Sequence, residues 1–162
     1  MKVMNDQGKK RWRWLALALA TAALPALAQD PGELAWQSRA EPVAGAPGEV
    51  DLVFTAPIEH GWIVYGSDFQ PGDFGPRPAK VVVKAGGEAS QPAQSVGAHS
   101  RSDRNFAGEY TYTYFAEAAT FRQRVKLAAG ATEVSGVLNG QSCFEESGLC
   151  TLFRAPFAVA LE

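Results

Sequence analysis

The 162-residue chain is poor in the side chains that build metal sites and disulfide frameworks: it carries 2 Cys, 2 His and 2 Met. Two cysteines are too few for a disulfide scaffold, so folding has to come from a buried core. The histidines, His60 and His99, have no ligand-like spacing to the cysteines or to each other. That excludes a structural zinc site, which needs four Cys/His ligands, and leaves no marked base for a cysteine nucleophile. No metal and no cofactor is therefore expected. Basic excess is missing too: 15 Lys and Arg stand against 17 Asp and Glu, which argues against nucleic acid or an anionic membrane as partner. Helical periodicity is absent after residue 28, and no apolar run reaches the roughly 18 to 20 residues that span a bilayer.

What is present begins at the N-terminus. Lys9, Lys10, Arg11 and Arg13 precede the short apolar run LALALATAAL, and Ala26-Leu27-Ala28 offers a small-x-small cleavage site. This is the pattern of a secretory signal peptide over residues 1–28, so the mature chain is expected to be exported and not inserted in the membrane. Its removal takes away five basic groups and one acid and moves the formal charge from −2 to −6. The rest suits one domain with a single core.

Residues 29–48, rich in Pro, Gly and Ala, read as an irregular lead-in with at most a poorly formed strand around Leu34 to Ser38. Period-2 alternation then marks strands at Glu49 to Ala56, Tyr110 to Phe115 and Thr120 to Leu127, aromatic and β-branched content marks one at Gly61 to Gly66, and Val81 to Lys84 reads as a short strand, with a weaker one near Ser95 to Ala98. Ser67 to Lys80, with three prolines, reads as a loop, and so does the polar stretch His99 to Glu109. Two last strands flank a cysteine loop. Short strands punctuated by Gly and Pro predict an all-β, immunoglobulin-like antiparallel β-sandwich over residues 49–162.

The stretch NGQSCFEESGLCTLF, Asn139 to Phe153, holds both cysteines. Cys143 ends one strand and Cys150 begins the next, so they face each other at the mouth of a hairpin. Facing Cα atoms in an antiparallel pair lie about 4.5 to 5.5 Å apart, inside the window that a disulfide accepts. The bond closes a small loop and stabilises by at most roughly 2 to 3 kcal/mol. Spacing alone leaves both a permanent staple and a working redox couple open. Glu145 and Glu146 between them read as a solvated charge pair.

Taken together, GWIVYGSDFQPGDFGPRPAKVVV, YFAEAATFRQRVKL and VSGVLNGQSCFEESGLCTLFRAPFAVAL resemble the N-terminal periplasmic domain of the DsbD family of thiol:disulfide interchange proteins. The carrying features, in order, are Gly61, Trp62 and Tyr65; Gly75 to Pro78; Phe121 and Gln123; Cys143 and Cys150; and Phe157 to Leu161. The resemblance implies a periplasmic domain that passes electrons to or from thioredoxin-like periplasmic or membrane-associated redox proteins. It implies that Cys150 forms the mixed disulfide with the partner and that Cys143 resolves it. It also implies an aromatic cap, which maps to Phe106 in RNFAGEY, and a site-lining tyrosine, which maps to Tyr65. The chain departs from the family in having six residues between the cysteines and Thr151-Leu152-Phe153 where the family has a Pro-Pro pair. The alternative is a non-enzymatic binding or adaptor sandwich in which the same two cysteines form a permanent structural disulfide.

Overall fold

The computed structural model describes residues 33–72 and 74–161. The expected signal peptide, residues 1–28, lies outside the described residues. The described residues form eleven strands and no helix. One sheet orders β1 (Gln37–Pro42), β2 (Glu49–Pro57), β9 (Ala118–Leu127) and β5 (Gly87–Ala89), with the two-residue β6 (Gln94–Ser95) also on β9. The other orders β11 (Leu149–Ala160), β10 (Glu133–Phe144), β3 (Trp62–Tyr65), β8 (Gly108–Phe115) and β7 (His99–Asn105), with β4 (Lys80–Ala85) also on β10. Every pairing is antiparallel. This is the all-β, immunoglobulin-like sandwich that the strand pattern predicts.

Alternation explains the core. On β2 the residues Val50, Leu52, Phe54 and Ala56 point inward, and on β9 Ala119, Phe121 and Val125 face them. Trp62, Val64, Phe115, Val134, Leu138 and Val159 close the core from the second sheet. Phe54 meets Phe157 edge-on at 4.9 Å, and Phe115 meets Phe121 at 5.4 Å, the offset geometries that ring quadrupoles favour. Gln123 shares the inward face of β9 and is buried. Its Nε2 donates to the carbonyl of Gln91 at 2.5 Å, which ties the β5–β6 crossover to the sheet and satisfies an otherwise costly buried amide.

Two stretches differ from the sequence-based expectation. The lead-in carries a regular strand, β1, paired along its whole length with β2 from Gln37↔Thr55 to Pro42↔Val50. The segment from His99, expected as an exposed loop, is strand β7, paired with β8 from His99↔Tyr114 to Asn105↔Gly108. Its exposure is real, since every residue from His99 to Arg104 is exposed. Both faces are solvated, so no apolar alternation marks it. Backbone pairing and charged edge side chains are what make it a strand.

Candidate functional site

The site grows out of the β10–β11 hairpin. Even-numbered positions of β10, such as Val134 and Leu138, enter the core, so Asn139, Gln141 and Cys143 lie on the opposite face. Gly136 and Gly140 fall on the inward face directly opposite Phe157 and Phe153 of β11. A Cβ at Gly140 would run into the Phe153 ring, and one at Gly136 into the backbone oxygen of Val82 and the Phe157 ring. These glycines thus let two rings of β11 fold across β10 into the core. The hairpin is held flat against the sandwich, and both cysteines lie on its outer face.

On that face Cys143 and Cys150 are direct cross-strand partners and are joined by a disulfide, with Cα atoms 4.0 Å apart. The strands are linked by Glu145 to Gly148, closed by the amide of Gly148 donating to the carbonyl of Phe144 at 2.9 Å. Gly148 has φ 70°, a left-handed conformation that favours glycine. The two sulfur-bearing residues differ in access. Cys143 is 4% exposed, while Cys150 lies on the edge strand and is exposed.

Several side chains frame the pair. Ile63 on β3 faces Cys143 and is buried. Gln141 precedes Cys143 by one position on the same face, and its Nε2 donates to Cys143 Sγ at 3.5 Å. The other end of that amide is fixed, because Gln141 Oε1 accepts from the backbone N–H of Arg77 at 2.8 Å. Glu145, just past β10, is ion-paired with Arg101 of β7 at 2.8 Å. The Arg101 guanidinium also lies over the Tyr114 ring, 4.5 Å from its centre. Hydrogen bonding to Glu145 first, with Tyr112 and Tyr114 adding to it, raises the Arg101 pKa. Glu145 is thus a partnered carboxylate rather than part of the solvated pair expected from sequence.

Tyr65 lies two residues beyond Ile63 on the same face of β3 and is half-buried. It packs edge-on against Tyr112 at 5.3 Å and against Phe69 at 6.5 Å. Burial, with a further push from Tyr112, raises its pKa to about 12. The phenol therefore stays protonated at neutral pH and is not a base. Phe106 occupies the turn of the β7–β8 hairpin, 82% exposed, with its ring packed on Phe74 at 4.4 Å.

Sequence reading missed Gln141, Arg101 and Phe69. A signal existed for Gln141, since a residue two before a strand cysteine shares its face. None existed for Arg101, whose strand shows no alternation, nor for Phe69, which sits in a loop. Among the described residues no group of three His, Cys, Asp or Glu side chains converges as a metal site, and no helix is long and apolar enough to cross a membrane.

No family model matches the sequence, and no curated protein does. Among solved structures, the N-terminal periplasmic domain of ScsB from Proteus mirabilis matches with a TM-score of 0.51 at 15% identity, over 78% of this chain and 44% of that one. The chain therefore spans less than half the length of that structure. The N-terminal domain of DsbD from Neisseria meningitidis, in its reduced form, matches with a TM-score of 0.43 at 18% identity, over 72% of this chain and 80% of that one. The chain shares the fold of the ScsB domain, and at this identity the likeness is one of fold.

Proposed function

We propose that the protein is an exported thiol:disulfide interchange module in which Cys143 and Cys150 cycle between dithiol and disulfide. The observation that carries this reading is the unequal access of two bonded sulfurs: one exposed on an edge strand, the other buried behind it with a hydrogen-bond donor already at its sulfur. A partner thiolate attacking Cys150 Sγ forms a mixed disulfide and expels Cys143 as a thiolate, which the Gln141 amide is placed to stabilise. In the opposite direction the reduced pair gives two electrons to a partner disulfide. The Cys150 thiolate attacks, one partner sulfur leaves as a thiolate, and Cys143 then attacks Cys150 Sγ. That restores the Cys143–Cys150 bond and releases the second partner thiolate. No cofactor enters either sequence.

Partners of this kind are thioredoxin-like redox proteins, as the DsbD resemblance implies. The likeness to a periplasmic ScsB domain supports the same compartment. Residues 49–162, together with strand β1 of the 29–48 lead-in, would form the exchange domain. Residues 1–28 would be the signal peptide, so mass spectrometry of the exported chain should find Gln29 at its N-terminus. The rival reading is a permanent staple in a binding sandwich. Redox titration against a glutathione buffer separates the two: a working couple equilibrates above roughly −300 mV, and a staple lies well below it.

A further inference from the structure

The loop between β3 and β4 does not flop over the sheet. The amide of Ala79 donates to the carbonyl of Gly66 at 2.8 Å, which closes the loop at its base. The Ser67 hydroxyl donates to the carbonyl of Ala93, Thr113 donates to Asp68, and the Arg77 amide donates to Gln141. Phe69 packs on Tyr65 and Tyr112. Between this anchored wall and the outer face of β4, β10 and β11 lies an open cleft of about 760 Å³, within the size range of ligand-binding clefts.

Its lining has two characters. Leu152 and Val82, 60% and 45% exposed, offer uncovered apolar surface. Arg77, Lys80 and Arg154 supply three cations, and among the described residues no acid lines the cleft. Among the described residues none of the three takes part in an ion pair. This is a local basic, apolar patch on a chain whose formal charge is −2. Its position matters as much as its charge. Leu152 follows Cys150 by one position on the same face of β11, about 7 Å along the strand, and Arg154 follows Leu152. A partner bonded to Cys150 has this row within reach of the residues next to its cysteine.

We infer that the cleft receives a short extended segment of the partner protein, flanking its reactive cysteine and combining carboxylates with an apolar side chain. The apolar side chain covers Leu152 and Val82, and the carboxylates meet Arg154, Lys80 and Arg77. Charge complementarity with three unpaired cations selects an acidic segment over a basic one. The inference deepens the exchange reading of the cysteine pair and rests on it for its purpose, but its binding step is measured separately.

The probe is a fluorescein-labelled, cysteine-free peptide of alternating Glu and Leu, read by fluorescence anisotropy against the oxidised mature chain. A Lys-for-Glu copy serves as comparison. The acidic peptide should bind about tenfold more tightly than the basic one, with the margin shrinking as salt rises. Lys80→Glu combined with Arg154→Glu should invert the preference. Equal binding of the two peptides, tighter binding of the basic one, or no binding of either would overturn the inference without any variant having to fold. Reaction of the reduced wild-type chain with 2-hydroxyethyl disulfide, too small and neutral to need the cleft, reports on exchange alone. Its failure would sink the exchange reading while leaving the binding result to stand.

Discussion

At the scale of single residues, the proposed exchange rests on two sulfurs placed unequally and on the amide behind one of them. Gln141 is oriented from both ends, by the Arg77 N–H on its oxygen and by Cys143 Sγ on its nitrogen. Attack at Cys150 makes Cys143 the leaving thiolate, and a hydrogen bond to a charged group is worth about 1.5 to 3 kcal/mol. Taking the low end for a partly solvated site, Gln141→Leu should slow reduction of the disulfide by dithiothreitol about tenfold. An unchanged rate in stopped-flow measurement would show that the amide does not assist departure. The pairing of the two cysteines across a hairpin could be read from the sequence because their spacing marks it. The placement of Phe106 could not, because the turn it occupies follows a strand with no apolar pattern. Its ring is committed to Phe74, a contact between two distant segments that no local spacing announces.

At the scale of elements, β10 shows why a strand can be both rigid and informative. Its inward glycines are filled by rings from β11, so a methyl group there has different consequences at the two positions. At Gly140 it meets the end of the Phe153 ring, which can turn aside. At Gly136 it also meets the Val82 backbone, which cannot. Overpacking costs roughly 1 to 3 kcal/mol. Denaturant unfolding should place Gly140→Ala near the lower figure and Gly136→Ala at or above the upper one, and the reverse order would contradict the packing account. The other sheet has its own lever. Asp51 on β2 accepts from Arg124 Nε at 2.8 Å and Nη2 at 3.0 Å, and from Arg122 at 3.1 Å. Arg122 also pairs with Glu41 at 2.9 Å. Hydrogen bonding from Arg124 first, then from Arg122, holds the Asp51 carboxyl below its usual range. Its folded pKa lies under the unfolded value of about 3.9. The contribution is therefore fully present above that pH and is lost as pH falls through the folded pKa. Thermal melts of wild type should lose stability over this acid window more steeply than those of Asp51→Asn, and parallel curves would count against the network. Strands β2, β8, β9 and β10 were legible because each sends apolar side chains into the core. Strand β7 was not, because both its faces meet water, and β1 was hidden among Pro, Gly and Ala.

At the scale of the whole molecule, two sheets bury a core that does not include the disulfide, and the hairpin lifts the cysteine pair to the outer face. The bond closes a loop with a sequence separation of 7, so its share of stability is small beside that of the core. This leaves the pair free to open and close while the sandwich stands. The fold could be read from strand alternation, and the hairpin from the position of the cysteines. The cleft could not, since its wall is a proline-rich loop whose place is set by contacts to β6, β8 and β10 rather than by any pattern of its own. The account's central claim is that Cys150 is the sulfur a partner meets and Cys143 the one that resolves, and trapping with single-cysteine variants tests it most directly. Cys143→Ser, incubated reduced with an oxidised thioredoxin-like protein, should accumulate a stable mixed disulfide on a non-reducing gel, and Cys150→Ser should accumulate little. Equal trapping by both variants, or trapping by neither, would contradict it.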